Sequence, residues 1–474
     1  MIKWGISAGT HDASLTVVKG DKILFASHTE RYSGIKNDKH LNPDIINDAL
    51  EFGDPEIIFW YENPYTKALR KLYASQDNVW FNPKKYLSNW NLDCVPIEYG
   101  NHHASHMAAG YYTKPFVECA TLVIDAIGEF NTISIWNEKK KVWTANYPAS
   151  LGLFYSAMTA RIGLKPNEDE YILMGMAAYG NPDRFYNDMK ELCFEGINFH
   201  RGCNWWKPEL TEADYFDIAA ATQKLYERYF VSLLKKTKEM TGKSNLVFMG
   251  GCALNCLANR LIPEHFEQHW IMPNPGDAGS SLGAILAKTK TAVKFDSPFL
   301  GYEIKGKYPV DKALDILLSS KIVGIANGRA EFGPRALGNR SLLADPRGKR
   351  MKDKVNKIKQ RQEFRPFAPV IRQEDVSECF NVNKDFHSPY MQHVVRCKFP
   401  TKYPGIVHED GTSRVQTVTK QSHPGLYKLL TKWKDASGCP MLLNTSLNIK
   451  GQPIVNDLQD AKEFEKMYGV KVLS

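Results

Sequence analysis

The pattern of apolar and polar positions predicts three short strands at residues 2–7, 14–18 and 22–29, with a turn over 19–22. "NPDIINDALEF" (42–52) has a helical pattern, and the apolar run "EIIFWY" (56–61) reads as a further strand. The order restarts at residue 119. "CATLVIDA", "NTISIWNE" and "KVWTANYP" give three strands with a turn over 138–141, and "LGLFYSAMTARIGL" (151–164) gives a helix. Identity between the two stretches is weak, so the order of elements carries the case for an internal duplication. A long helix is predicted over 217–240. "NLVFMGGCALNCLANRL" (245–261) reads as a strand, a glycine turn and a helix start, and "MPNPGDAGSSLGAILAK" (272–288) as another glycine turn opening onto a helix. Residues 296–309, with Pro and Gly, are the linker candidate, after which "VDKALDILLSSKIVGIANG" restarts with a helix and a strand. The prediction is an α/β protein with a duplicated domain over 1–300 and a smaller α+β domain over 301–474. Residues 60–95, rich in aromatics and lysines, give no assignment, and 181–216 match no motif.

Composition narrows the class only a little. The 43% apolar content of the 474 residues is that of an ordinary globular protein. No apolar run approaches the roughly 18 residues of a membrane span, and "MIKWGISAGTHD" lacks a signal-peptide core. The expectation is a cytoplasmic protein with no membrane partner. Nine scattered cysteines fit reduced thiols, and Cys252 and Cys256 have no second pair to make a zinc site. Net charge is +9, from 61 Lys+Arg against 52 Asp+Glu, which suits either a solvated basic surface or anionic ligands, nucleic acid included.

Chemistry concentrates in loops. Four glycine-containing loops, 5–14, 125–132, 250–255 and 276–283, can turn backbone N–H groups toward phosphates. Together they resemble the actin, sugar kinase and heat-shock ATPase superfold, in which duplicated halves close on a nucleotide. No GxxxxGK[ST] is present. In "NHHASHMAAGYY" (101–112), His102 and His106 are four apart and share a helical face, as two ligands of one metal must. Asp125 ends the next strand, and two imidazoles with a carboxylate suit Fe(II) or Zn(II). The alternative is that these histidines cap a helix or satisfy core hydrogen bonds, that Asp277 is a helix N-cap, and that His11 and Asp12 are ordinary turn residues.

"NHHASH", "VIDAIGE", "MGMAAYG", "GGCALNCLAN" and "PGDAGSSLGA" resemble the N-terminal half of the carbamoyltransferase family that modifies nodulation factors and antibiotics such as cephamycins and aminoglycosides. "FGPRALGNRSLLADPR", "FRPFAPVI", "RVQTVT" and "LLNTSLNIKGQPIV" resemble its C-terminal half, in family order over nearly the whole chain. The resemblance implies an actin-like N-terminal domain similar to the tRNA threonylcarbamoyl transferase, and a C-terminal domain like the enzyme that makes threonylcarbamoyl-adenylate. It implies that carbamoyl phosphate and ATP, with Mg2+, give carbamoyl-adenylate, whose carbamoyl group passes to an acceptor hydroxyl by a closed internal route. It places a divalent metal, Fe2+ favoured and Zn2+ possible, on His102, His106, Asp125 and Asp277, and His11 near the nucleotide. Gly128, Gly250, Gly251, Asn255, Gly276 and Gly279 are the expected nucleotide contacts.

"RAEFGPRALGNRSLLADPR" (329–347) sets four arginines among glycines and prolines, a spacing that fits neither helix nor strand. Guanidinium groups bind phosphate bidentately and stay charged. Arg335, Arg340 and Arg347 are therefore the expected anion clamp, joined by Arg365 and Arg414, with Asn444, Thr445 and Ser446 as short donors. Arg329 is the weakest member. His11 or Asp12 is the candidate general base, and Arg335 and Arg340 the candidate catalytic arginines. The acceptor is either a small sugar, nucleoside or antibiotic, or a hydroxymethylated pyrimidine in DNA. DNA is suggested by the charge and by the aromatic-basic segments 65–73, 79–90 and 201–208. A non-catalytic nucleotide- and metal-binding sensor is the alternative of another class. The oligomeric state stays open, with a homodimer compatible.

Overall fold

The computed structural model describes residues 1–474 apart from Asn78, Pro366 and Lys450. The chain divides into two compact units. The first comprises Met1–Thr29 and Asn37–Phe295, the second Glu30–Lys36 and Asp296–Ser474.

The first unit is built on two five-stranded sheets of matching design. β1 (Ile2–Ser7), β2 (Ser14–Lys19) and β3 (Lys22–His28) form an antiparallel meander, and β4 (Ile57–Trp60) and β5 (Ile97–Tyr99) add in parallel beside β1. The order is β3-β2-β1-β4-β5. The second sheet repeats it with β6 (Ala120–Gly128), β7 (Asn131–Asn137), β8 (Lys140–Asn146), β9 (Asn245–Met249) and β10 (Gln268–Trp270), in the order β10-β9-β6-β7-β8. β6 and β9 are parallel and β6–β7–β8 antiparallel, so the duplication read from element order is present strand for strand. This is the actin-like arrangement.

β1 and β6 are central in their sheets and correspondingly apolar, with Trp4, Ile6, Leu122, Val123 and Ile124 buried. The helix Ser280–Thr289 lies so close to β1 that a Cβ on Gly5 would sit 1.9 Å from the Ser281 carbonyl oxygen. Thr16 and Ser281 hydroxyls meet at 2.8 Å, and Ser14 Oγ donates to the Ala278 carbonyl at 2.6 Å. These contacts pin the "PGDAGSS" turn onto the first hairpin.

The region 60–95 contains the helix Pro64–Tyr73, capped by Asn63, whose Oδ1 accepts from Tyr65 and Thr66 N–H. Its two faces are distinct but inverted: Lys67 and Arg70 are buried, while Tyr65, Leu69, Leu72 and Tyr73 are exposed, the reverse of what an apolar stripe implies. Lys67 pairs with Glu62, and Arg70 Nε donates to the Glu129 carbonyl at 3.0 Å.

The second unit carries β11 (Phe299–Ile304) paired with β13 (Gly328–Glu331), and β16 (Val394–Arg396) paired with β17 (Thr412–Arg414). Its six-stranded mixed sheet comprises β12 (Ile322–Ala326), β14 (Arg340–Ala344), β15 (Ala368–Arg372), β18 (Gln416–Val418), β19 (Met441–Ser446) and β20 (Val472–Leu473). The order is β18-β15-β19-β14-β12-β20, over a core that includes Trp433, Leu442, Leu443 and Phe380. Residues Glu30–Lys36, which chain order assigns to the first domain, belong here: Arg31 is buried and its Nη2 donates to the Gly333 carbonyl at 2.9 Å. Among the described residues no helix is long and apolar enough to cross a membrane.

Candidate metal centre and anion site

The helix His102–Tyr111 starts at Asn101, whose Oδ1 accepts the Ala104 N–H at 3.1 Å. Asn101 is thus the cap, and His102 and His106 are released to face the end of β6. There the β6–β7 ladder is interrupted between Ile124 and Gly128, where Asp125 leaves the pairing. Asp277 opens the short turn before the helix Ser280–Thr289, and the cap positions of the turn and the helix are Gly276 and Gly279, so Asp277 is not the N-cap.

These stretches bring four ligand atoms within 4.8 Å of one another. His102 Nε2 lies 3.1 Å from His106 Nε2, 3.1 Å from Asp125 Oδ2 and 3.4 Å from Asp277 Oδ1. His106 Nε2 lies 3.3 Å from Asp277 Oδ1 and 3.8 Å from Asp125 Oδ2. Supports stand behind three of the four. Gly251 N–H donates to Asp125 Oδ1 at 3.0 Å, Ser280 Oγ is 3.3 Å from His106 Nδ1, and Glu62 is 3.7 Å from His102 Nδ1.

Burial disfavours the charged form of His102, yet Asp277, Asp125 and Glu62 raise its pKa well above the ordinary histidine value. Burial and the Asp277 charge push the Asp125 carboxyl up, but the His102 hydrogen bond and the His106 and His102 charges bring it down to about 2. Asp277, against its burial, is held well below the usual range by His102 and His106. Two imidazole nitrogens facing each other between two carboxylates call for a cation. One proton can bridge only one of these contacts, whereas a divalent ion fits all four donors, and the N2O2 set suits iron or zinc.

Glycine serves this centre. A Cβ on Gly128 would lie 2.2 Å from His102 Cδ2, so the ring packs directly on backbone. Gly250 has φ +95° and abuts the Ile124 carbonyl, which lets Gly251 reach Asp125. Gly128 and Gly251, expected at a nucleotide, therefore meet the His–Asp cluster itself. Gly279 packs on the Asn274 carbonyl, while the space where a Gly276 side chain would go is open. Asn255 caps its own short helix through Ala258 N–H and exchanges amide hydrogen bonds with Gln223. His103, between the two ligands, points away to Ser134 Oγ at 2.8 Å, and burial first, then the neighbouring imidazoles, lowers its pKa well below normal.

His11 Nε2 donates to the Asn167 carbonyl at 2.9 Å. Burial opposes its charge, but Asp12, Asp277, the Asn167 carbonyl and Asp125 raise its pKa overall. Asp12 has φ +53° and meets His28 Nδ1 at 3.0 Å. Burial would raise the Asp12 pKa, and His28, followed by His11, lowers it.

In the second unit the arginine-glycine stretch departs from the expected clamp. Arg340 is wholly buried, and its guanidinium donates to the carbonyls of Asn456, Asn327, Gly328, Asn339 and Tyr302 at 2.9–3.1 Å. Its N–H groups are taken by the chain, so Arg340 ties the fold together and is not presented to a ligand. Arg329 likewise binds the Leu300 and Gly301 carbonyls. Arg347 forms a forked pair with Asp345, both contacts 2.8 Å, and donates to the Ser437 carbonyl at 3.0 Å. Arg335, Arg365 and Arg414 are half-buried. Asn444 Nδ2 donates to Gln416 and to the Ala336 carbonyl, while its buried Oδ1 has no hydrogen-bond partner among the described residues.

One residue escaped sequence reading. Lys359, the last residue of the helix Lys349–Lys359, is buried, and its Nζ reaches the Ser446 carbonyl at 2.7 Å, Ser446 Oγ at 3.2 Å and the Asn448 carbonyl at 2.9 Å. Burial first, then Arg361 and Arg365, holds its pKa well below the usual lysine value. Asn448 Oδ1 accepts from Nζ as well, so its N–H groups are taken by the chain, and Lys359 holds the end of β19 to the loop that follows. It hid in the basic run 347–361, where a solvated lysine is the ordinary reading.

The segments suggested for DNA are divided. Lys67 and Arg70 face inward, whereas Tyr65, Tyr73, Trp80 and Trp205 are exposed, as are Lys84 and Lys85. Trp206 packs edge-on against Phe185.

Fold and site together define a duplicated actin-like α/β protein with a candidate metal centre and a second, basic unit. The chain belongs to the carbamoyltransferase family: the family's N-terminal model matches residues 3–286 and its C-terminal model residues 314–474. It is a carbamoyltransferase. It is 32% identical over 575 aligned positions to an uncharacterized protein of Synechocystis, covering 96% of this chain and 93% of that one. It is 28% identical to nodulation protein NolNO of Sinorhizobium fredii, covering 95% of this chain and 76% of the relative. The 3'-hydroxymethylcephem-O-carbamoyltransferase of Amycolatopsis lactamdurans is 36% identical over 273 positions, 53% of this chain and 52% of that enzyme. Among solved structures, the activator of 2-hydroxyisocaproyl-CoA dehydratase from Clostridium difficile matches 61% of this chain and 97% of its own at 14% identity and a TM-score of 0.39.

Proposed function

We propose that the enzyme forms carbamoyl-adenylate from carbamoyl phosphate, water and ATP in its second unit, with release of phosphate and pyrophosphate, and transfers the carbamoyl group to an acceptor hydroxyl in its first. The observation that carries this reading is the convergence of His102, His106, Asp125 and Asp277 within 4.8 Å, with His11 and Asp12 on the neighbouring turn. In the second unit Arg335, Arg365 and Ser446 bind carbamoyl phosphate and the ATP phosphates, the latter with Mg2+. Arg414 assists them, and Arg347, held by Asp345, shapes the loop. In the first unit His11, whose cation is favoured, steadies the adenylate phosphate beside Gly276. Asp12 accepts the acceptor's proton. His102, His106, Asp125 and Asp277 hold a divalent ion, Fe2+ in preference to Zn2+, which when bound supplies Lewis acidity.

The acceptor we favour is a hydroxymethylated pyrimidine in DNA. Exposed Tyr65, Tyr73, Trp80 and Trp205 offer stacking faces, and Lys84 and Lys85 offer charge. A small hydroxylated acceptor is the second reading, favoured by the name of the cephem relative. The test is incubation with carbamoyl phosphate, ATP and Mg2+, with hydroxymethylated DNA, a hydroxymethylcephem and a sugar side by side. AMP release with one carbamoyl group gained by the DNA supports the reading. Gain only on a small acceptor replaces the DNA assignment, and no release of AMP or pyrophosphate with any acceptor overturns the transferase scheme.

A further inference from the structure

Asp12 stands at the end of a hydrogen-bonded chain that belongs to neither the metal cluster nor the phosphate contacts. Its Oδ1 is 3.0 Å from His28 Nδ1, and His28 Nε2 is 2.9 Å from Asn274 Nδ2. His28 and Asn274 are each 2% exposed, whereas the Asp12 side chain is 20% exposed. The residues come from distant places. Asp12 is on the turn after β1, His28 ends β3, and Asn274 precedes the turn that carries Asp277.

The donor and acceptor roles follow from the partners. An amide nitrogen only donates, so Asn274 Nδ2–H donates to His28 Nε2, which must be unprotonated. The imidazole hydrogen then lies on Nδ1 and is donated to Asp12 Oδ1. The left-handed backbone of Asp12, φ +53°, is uncommon for a residue other than glycine, and it turns this carboxylate onto His28. The same arrangement is extended to the metal ligands' loop, because Gly279 packs against the Asn274 carbonyl.

We infer that His28 and Asn274 are positioning residues that hold one oxygen of Asp12, fix the His28 tautomer, and leave the other Asp12 oxygen to take the proton of the acceptor hydroxyl. The inference rests on the transferase reading, with Asp12 as base. In that step the acceptor oxygen bonds to the carbamoyl carbon and its proton moves to Asp12. The bond from that carbon to the AMP phosphate oxygen breaks, and its electron pair leaves with AMP.

Asparagine and glutamine discriminate the roles, because an asparagine amide replaces Nδ1 of histidine and a glutamine amide replaces Nε2. With carbamoyl phosphate, ATP and a hydroxymethylpyrimidine DNA oligonucleotide, His28→Leu and His28→Gln should lower kcat for transfer ~100-fold, the scale of general-base catalysis. KM for the oligonucleotide should stay within about twofold, and bound metal should be unchanged. His28→Asn should recover to within ~10-fold of wild type, and Asn274→Leu should fall between. Equal kcat for His28→Asn and His28→Gln overturns the relay, as does wild-type kcat in His28→Leu. Asp12→Asn separates the two levels. If it transfers at the wild-type rate, Asp12 is not the base and the underlying reading fails; if it is inactive while the His28 variants are normal, only the relay fails.

Discussion

Arg340 donates its own backbone N–H to Glu331 Oε1 at 3.3 Å while its guanidinium turns away to a cage of carbonyls. The same Glu331 oxygen accepts the N–H groups of Leu337 at 2.7 Å and Asn339 at 3.0 Å. One buried carboxylate oxygen thus gathers three loop N–H groups, and the turn is held by an acceptor of its own chain. Burial draws the Arg340 pKa down to about 10, against Glu331, which raises it.

Arg340→Ala should therefore act on the fold. It strands five carbonyl contacts, and losing a buried charge-assisted set costs about 3–5 kcal/mol. Urea denaturation should show a lower midpoint, and Arg340→Lys should not rescue it, since an ammonium cannot reproduce the planar fork. A midpoint equal to wild type in Arg340→Ala would remove the structural role.

Gly128→Ala should damage the candidate metal centre without replacing any of its four side chains. Its Cβ would fall 2.2 Å from the His102 ring, so the ring must leave its place. Elemental analysis should show loss of most bound metal, comparable with His106→Ala, whereas His103→Gln should retain it. Full metal in Gly128→Ala would mean that His102 is not a ligand.

Lys359→Met should act on the fold of the second unit. It leaves the carbonyls of Ser446 and Asn448 without their buried donor. Urea denaturation should show a lower midpoint, and a midpoint equal to wild type would remove this role.

Arg335→Ala should lower pyrophosphate release ~10–100-fold while leaving the urea midpoint near wild type, the opposite of Arg340→Ala. If both arginine variants unfold alike, the whole stretch is structural.

Much was legible in the sequence because the signals were local. Strand, turn and helix order repeats along the chain, so the duplicated fold followed from it. The spacing of His102 and His106 places them on one helical face whatever surrounds the helix, and the motifs of the chain placed Asp125 and Asp277 beside them. What remained hidden depends on partners distant in the chain. No local pattern distinguishes Arg340, bound to carbonyls from residues 302 to 456, from the half-buried Arg335 five positions earlier. Lys359 reads as one more cation of a basic helix until Ser446 and Asn448 close over it and water is excluded. His28 reads as the polar end of a strand until the 274–277 turn brings Asn274 to its far nitrogen. Periodicity records which face of an element is buried. Tertiary structure alone decides what each buried charge meets, and at these low-dielectric positions the partner sets the role.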